Sequence, residues 1–147
     1  MIRDCTIDLI VKKDEKANIV YEDDHFIAFL DSHPLFFGHT LLAPKGHYET
    51  LYDLPENLVE PLFLLTRRIG KAVELAMDSS GSFIAMNNTV SQSIPHLHVH
   101  IVPRNKKDGL KGFFWPRYRY ESDEQRQNVQ DKISSVLERT GLSIYTK

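Results

Sequence analysis

Alternating apolar and polar positions predict five short β-strands in this chain. Each candidate strand is four to seven residues long and is bounded by charged, proline or glycine positions. The predicted strands are residues 19–22, 25–30, 38–44, 83–86 and 96–102.

Two other segments repeat their apolar residues at the spacing of a helix. The first predicted helix ends near Met77, and the second follows Ser122 and is closed by Gly141. The apolar stripe of the first helix consists of Leu58, Leu62, Leu65, Ile69, Val73 and Ala76. The stripe of the second helix consists of Val129, Ile133, Val136, Leu137 and Thr140. Short strands around one long central helix predict an α+β fold class, an antiparallel sheet of about five strands with a C-terminal helix.

The fifth predicted strand carries three histidines that alternate with apolar residues. Because successive side chains of a strand point to opposite faces, His96, His98 and His100 are expected together on one face. The residues expected in the core are Leu97, Val99 and Ile101. Three of the seven histidines of the chain therefore share one face, which a core does not require, and the row is predicted to be a reaction centre.

The residues alone leave three interpretations of this row open. The histidines are structural, or His96 and His98 bind zinc with His47 or Cys5 as a third ligand, or one imidazole is a nucleophile that its neighbours orient.

The loop before the strand favours the nucleophile. Asn87, Gln92 and Ser93 offer amide and hydroxyl groups that suit phosphate oxygens. The segment is therefore predicted to be a phosphate-binding loop.

The composition limits the remaining classes of function. The chain has 147 residues with a net charge of −2, so one soluble domain is predicted and a nucleic-acid partner is not. No apolar run approaches the roughly 20 residues that cross a bilayer, so no membrane partner is predicted. The single cysteine, Cys5, excludes an internal disulfide and is typical of a cytoplasmic protein.

The histidine run, in its context, resembles the histidine triad (HIT) family. Residues 96–102 follow the pattern His-φ-His-φ-His-φ-φ, in which φ is hydrophobic. Residues 29–31 followed by Pro34, and the run 38–47, resemble the early signature of that family. The match covers roughly residues 18–104, and it implies a single HIT-like domain over 1–147 with a C-terminal extension from about 105.

This resemblance implies a nucleotide hydrolase or transferase that acts at a nucleoside α-phosphate. His98 would be the nucleophile and form a nucleotidyl-histidine intermediate. His100 would contact the phosphate, and His96 and His39 would order the network around it. Ser93 would face the leaving group.

The resemblance also implies the nucleotide contacts and the partners. Phe29 would line the base pocket, Asp31 would bind the ribose hydroxyls, and Asn87 and Gln92 would contact the phosphate and ribose. The expected ligand is an AMP-type purine nucleotide, and the expected assembly is a homodimer. No cofactor or metal is expected to be required.

One departure from the family concerns zinc. Many bacterial relatives carry Cys-x-x-Cys near the N-terminus, which binds zinc with two histidines, whereas here the stretch is Cys5-Thr6-Ile7-Asp8. A weakened zinc site of Cys5, Asp8, His47 and His96 is the alternative, disfavoured because the second cysteine is absent.

The segment after the triad leaves the substrate open between nucleoside phosphoramidates, acyl-adenylates and dinucleoside polyphosphates. Val102-Pro103-Arg104 resembles the branches that cleave polyphosphates, and more than forty residues follow. Two roles are expected for the basic residues Arg104, Lys106, Lys107 and Lys111: they contact a polyphosphate tail, or they form a loop exposed to solvent. Residues 113–116, Phe-Phe-Trp-Pro, are expected to stack on a base, to pack on the last helix or to bridge a dimer.

The alternative function for the whole chain is a nucleotide-binding or scaffold module without turnover.

Overall fold

The computed structural model describes residues 4–110 and 118–140. The chain divides between Gly109 and Leu110 into two compact units, which are described separately. Lys111 and the aromatic residues 113–116, for which several roles were predicted, lie outside the described residues. Among the described residues, no helix combines the length and apolar character that crossing a membrane requires.

The first unit is an antiparallel sheet of five strands in the order β1-β2-β3-β5-β4. The strands are β1 (Ile19–Glu22), β2 (Phe26–Leu30), β3 (Thr40–Pro44), β4 (Gly81–Ala85) and β5 (Val99–Arg104). The helices of this unit are α1 (Thr6–Val11) and α2 (Glu56–Ala76). The predicted α+β class with one long helix and an antiparallel sheet is confirmed.

Both faces of the central strands are covered, because a helix packs on each. Phe26, Ala28 and Leu42 belong to one core with the apolar stripe of α2, and Ile27 and Leu41 belong to a second core with α1. The first core also contains the predicted residues Leu97, Val99 and Ile101, each fully buried.

Helix α1 was not predicted, since six residues are too few to show a helical period. Its first turn is closed by a capping box in which the Sγ atom of Cys5 accepts from the N–H of Asp8 and the Asp8 carboxylate accepts from the N–H of Cys5. This helix supplies one wall of the site described below.

The histidine strand begins later and ends later than predicted. Strand β5 starts at Val99 rather than His96, because the preceding backbone has other partners: the N–H of Leu97 donates to the carbonyl of Tyr48, and the carbonyl of His96 faces the ring of His98. At its other end the strand includes Pro103, which is tolerated since pairing with β3 stops at Ile101.

The second unit contains helix α3 (Asp123–Arg139). Ser122 caps it by accepting from the N–H of Gln125 at 3.1 Å. Its stripe of Val129, Ile133 and Val136 is exposed.

Candidate active site

His98 lies at the entrance to β5 with only 4% of its surface exposed. Its Nδ1 atom is 2.7 Å from the carbonyl oxygen of His96. Because a carbonyl only accepts, the Nδ1 atom carries the proton and the neutral ring keeps its lone pair on Nε2. The backbone of the preceding residues thus selects the tautomer that leaves a nucleophilic nitrogen.

His39 and His100 form a second ordered pair beside this nucleophile. The N–H of Leu35 donates to Nδ1 of His39 at 3.1 Å, so the proton of neutral His39 is on Nε2. That nitrogen is 3.0 Å from Nδ1 of His100, which therefore accepts and keeps its own proton on Nε2. The ring of His100 stands edge-on to His98 with centroids 4.9 Å apart.

Burial keeps both rings of this pair neutral at physiological pH. Burial lowers the pKa of His39 below its usual range. The negative charge of Asp31, whose Oδ2 is 3.6 Å from Nδ1 of His39, acts in the opposite direction but is the smaller effect. Burial, with repulsion from His98 and His39, lowers the pKa of His100 to about 4. His100 is consequently a neutral donor through Nε2.

A cavity of about 750 Å³ opens over His98 and His100, a size that suits a nucleotide. Of the predicted site residues it brings together Phe29, Asp31, Ser93, His98 and His100. His39 is buried behind His100, and His96 is fully buried.

Asn87 and Gln92 are not among the residues that line the cavity. Gln92 donates to the carbonyl of Glu49 at 2.6 Å and accepts from the N–H of Thr89, while Asn87 donates to the carbonyl of Ser91. These contacts hold the loop before the triad in its turn. Their predicted contacts to phosphate and ribose stay predictions.

Part of the cavity wall was missed by sequence reasoning. Thr6 and Ile10 of α1 and the connecting segment at Glu15, Lys16 and Asn18 line it. Their positions carry no pattern that indicates a ligand, because they reach the site only through the packing of α1 on the sheet. Exposed Lys106 and Lys107 are not among the lining residues.

A separate cluster surrounds His96. The ligand atoms of Cys5, Asp8, His47 and His96 all lie within 4.8 Å of one another. Although its own burial opposes the change, hydrogen bonds from Cys5 and His47 lower the pKa of Asp8 to about 2, and burial lowers the pKa of His96. A donor set of one sulfur, one oxygen and two nitrogens fits zinc, so the structure assembles the four residues of the disfavoured alternative.

Known proteins share the sequence pattern and the fold of this chain. The profile of the family described as HIT domain matches residues 12–107. The structure resembles the crystal structure of a member of the HIT family from Bacillus subtilis, with a TM-score of 0.82 and 32% identity over 90% of this chain and 96% of that one.

Two further proteins are informative by their names. A Zn-bound histidine triad family protein from Mycobacterium smegmatis has 30% identity and a TM-score of 0.69, over 90% of this chain and 97% of that one. The Arabidopsis thaliana protein named Adenylylsulfatase HINT3 is 35% identical over 73% of this chain and 55% of that protein.

Proposed function

The chain belongs to the HIT domain family, a superfamily of nucleotide-binding hydrolases, and we propose that it cleaves nucleoside 5′-phosphoryl compounds at the α-phosphate through a covalent intermediate on His98. The observation that carries this proposal is the 2.7 Å contact between Nδ1 of His98 and the His96 carbonyl, which leaves the Nε2 lone pair free beside the cavity. Nucleophilic catalysis by an imidazole requires that tautomer.

In the first step, the Nε2 lone pair of His98 forms a bond to phosphorus. The bond from phosphorus to the leaving group breaks, and the leaving group departs with the electron pair and takes a proton from water. The hydroxyl of Ser93, which also lines the cavity, donates a hydrogen bond to it. The ring is then a phosphorylated imidazolium, whose charge the His96 carbonyl stabilises through Nδ1–H.

In the second step, water attacks the phosphorus and the bond to Nε2 breaks. The nucleoside monophosphate leaves, one water proton is released, and His98 returns to its neutral tautomer. Two displacements replace one difficult step.

His100 stabilises the charge on the phosphoryl oxygens in both steps. Its Nε2–H is a donor whose tautomer the contact with His39 fixes, and a preorganised donor is effective because it needs no rearrangement during the reaction. His39 acts through His100, and the N–H of Leu35 orients His39 in turn.

The cavity fits one nucleoside monophosphate. Phe29, Leu41 and Ile94 offer apolar surface to a purine base, and the Asp31 carboxylate is the acceptor for ribose hydroxyls. The substrates are accordingly adenosine-type phosphoramidates, acyl-adenylates or dinucleoside polyphosphates. The name of the plant relative, an adenylylsulfatase, supports an adenylyl group as the part retained on the enzyme. The chemistry uses no metal or cofactor.

The test combines the variant His98→Ala with trapping of the intermediate. The variant is expected to bind AMP within about threefold of wild type and to lose at least about a thousandfold in kcat, since nucleophile and positioning are lost together. Quenched wild-type enzyme is expected to carry an acid-labile nucleotidyl group on His98. The matched control is His25→Ala, an exposed histidine outside the cavity. Unchanged turnover in H98A refutes the nucleophile, and AMP binding without any wild-type turnover favours the binding module.

We also propose that two copies associate through β4 and α2. Strand β4 is one edge of the sheet, where its own Ile84 and Phe63 of α2 remain 44% and 49% exposed. Pairing of β4 with its counterpart in a second copy satisfies the edge and covers this apolar surface. Ile84→Asp is expected to shift the sedimentation-equilibrium mass from dimer to monomer, whereas Val20→Asp on the opposite edge strand is not. A wild-type monomer at high concentration refutes the assembly.

A further inference from the structure

An apolar cavity of about 430 Å³ lies between α2 and strands β1 to β3, and we call it the α2 crevice. It is on the sheet face that packs against α2, whereas the nucleotide cavity is bordered by α1. Among the described residues, Leu30 alone lines both. The space is left open by small side chains, since the stripe of α2 continues past Ile69 with Ala72 and Ala76. Its volume falls within the range of small-molecule sites.

The hydroxyl groups that line the α2 crevice already donate within the protein. Thr40 is 1% exposed, and its hydroxyl donates to the carbonyl of Gly38 at 2.9 Å. The hydroxyl of Tyr21 donates to Asp23 at 2.7 Å. Apart from Arg68, the remaining lining residues are aliphatic side chains, one methionine and one glycine. The body of a ligand that enters the crevice must therefore be apolar, because a buried polar group without a partner is costly.

Arg68 supplies the one charge among the described residues that line the crevice. It is exposed, and within the described part of the chain it forms no ion pair or hydrogen bond. The nearby carboxylate of Asp23 does not line the crevice and already accepts from Tyr21 and from the N–H groups of His25 and Phe26. The planar guanidinium of Arg68 is thus available to an anion, and its geometry matches a carboxylate.

We propose that the α2 crevice binds one free fatty carboxylate of medium chain length, with its alkyl chain between α2 and the sheet and its head at Arg68. Val20, Leu30 and Met77 are 53%, 40% and 40% exposed, and the alkyl chain covers this apolar surface. An extended peptide fits less well, because its backbone N–H and C=O groups would find no partners among these side chains.

The crevice stays accessible in the association proposed above. That association uses β4, whereas the crevice is bordered by β1 at the opposite edge of the sheet. The fatty carboxylate site does not rest on the proposed nucleotide chemistry, since neither the ligand nor Arg68 takes part in it.

Calorimetric titration of the full chain with decanoate, below its micelle concentration, tests the site. Wild type is expected to bind one equivalent. Its affinity is expected to rise about fifteenfold from octanoate to decanoate, because each buried methylene contributes about fourfold. Decylammonium, with the same chain and the opposite charge, is expected to bind at least about fivefold more weakly. A wild-type chain that binds no decanoate, as when a second copy fills the crevice, overturns the site, and so does equal affinity for the two head groups.

The position of the carboxylate is tested by Arg68→Gln. This variant is expected to lose about fivefold in decanoate affinity, the upper end for an exposed ion pair, and to narrow the difference between decanoate and decylammonium. The matched control is Arg67→Gln, at an adjacent exposed arginine that lies on the β4 side of the helix beside Ile84. Equal decanoate affinity in R68Q and R67Q overturns the contact with Arg68.

The position of the alkyl chain is tested by filling the crevice. Ala72→Trp is expected to weaken decanoate binding at least about tenfold, since it takes the space of several methylenes. Leu75→Trp, at a residue of α2 that is 70% exposed and does not line the crevice, is expected to match wild type. Circular dichroism checks that both variants fold. Equal decanoate affinity in folded A72W and L75W overturns the crevice as the site.

Methionine methyl signals in NMR spectra locate the ligand without any substitution. Met77 lines the crevice, whereas Met86 lies on the β4 side of α2. Decanoate is expected to shift the methyl signal of Met77 and to leave that of Met86 in place. A shift of Met86 alone places the ligand elsewhere and overturns the site. A protein that shows the Met77 shift but never turns over a nucleotide substrate refutes the proposed function and leaves the fatty carboxylate site standing.

Discussion

Removal of the His39 donor is expected to lower turnover with little effect on substrate binding. His39 is 3% exposed, and its Nε2–H is the group that fixes the proton of His100 on Nε2, the nitrogen that faces the phosphate in the proposed mechanism. Without this donor the ring of His100 is free to adopt the other tautomer. A lone pair then faces the phosphoryl oxygens in place of an N–H.

The geometry sets the size of the effect. The 3.0 Å bond joins buried His39 to half-buried His100, and in the proposed mechanism charge develops on the phosphoryl group that His100 would contact. Hydrogen bonds to charged groups contribute about 1.5–3 kcal/mol, and about 1.4 kcal/mol corresponds to tenfold in rate. His39→Leu is therefore expected to lower kcat roughly ten- to a hundredfold.

A pair of variants separates the hydrogen bond from simple loss of packing. His39→Gln places an amide N–H close to the position of Nε2 and is expected to retain most of kcat, whereas H39L does not. Steady-state kinetics with an adenosine phosphoramidate gives kcat and KM, and circular dichroism checks that both variants fold. If H39L keeps the kcat of wild type, or if H39Q is as impaired as H39L, the relay through His100 is wrong.

Three further predictions concern stability, the ribose and the leaving group. The free energy of unfolding is expected to fall as the pH drops from about 6.5 to about 4. The reason is that His100 takes up a proton at its ordinary pKa of 6.5 in the unfolded chain but only near a pKa of about 4 in the folded chain. Urea titrations across this pH range measure the slope, and a flat profile contradicts the prediction. Asp31→Asn is expected to weaken AMP binding about tenfold, through loss of a charged acceptor, and to weaken binding of 2′,3′-dideoxy-AMP much less. Calorimetry measures the affinity for both ligands, and equal losses of affinity exclude a ribose contact. Ser93→Ala is expected to slow cleavage of a phosphoramidate more than cleavage of a dinucleoside polyphosphate, because the amine of the phosphoramidate is the poorer leaving group. Stopped-flow kinetics with the two substrates measures both rates. The opposite order contradicts a contact between Ser93 and the leaving group.

Local periodicity was sufficient to predict most of the sheet and the core side of the histidine strand. Strand β1 and the long helix lie where the apolar pattern put them, and Leu97, Val99 and Ile101 are buried as alternation requires. These features depend on residues a few positions apart. Such residues lie on one face through backbone geometry alone.

The start of β5 and the orientation of the preceding loop depended on contacts outside the local pattern. A strand predicted from His96 begins at Val99, because the N–H of Leu97 bonds to Tyr48 in place of a ladder partner. Gln92 likewise turns to the carbonyl of Glu49, 43 residues away. No alternation within the run itself encodes these partners.

The sequence by itself determined which residues are candidates for the chemistry: the three histidines in one row, Ser93 before them, and Asp31 two positions after Phe29. What only the tertiary structure decided is how those histidines divide. His96 faces Cys5, 91 residues away, and His100 faces His39, 61 residues away, while His98 between them opens to the cavity. The physical reason is that a tautomer, a hydrogen-bond direction or a ligand set depends on which groups the fold brings within about 3 Å, and chain periodicity carries no record of those distant partners.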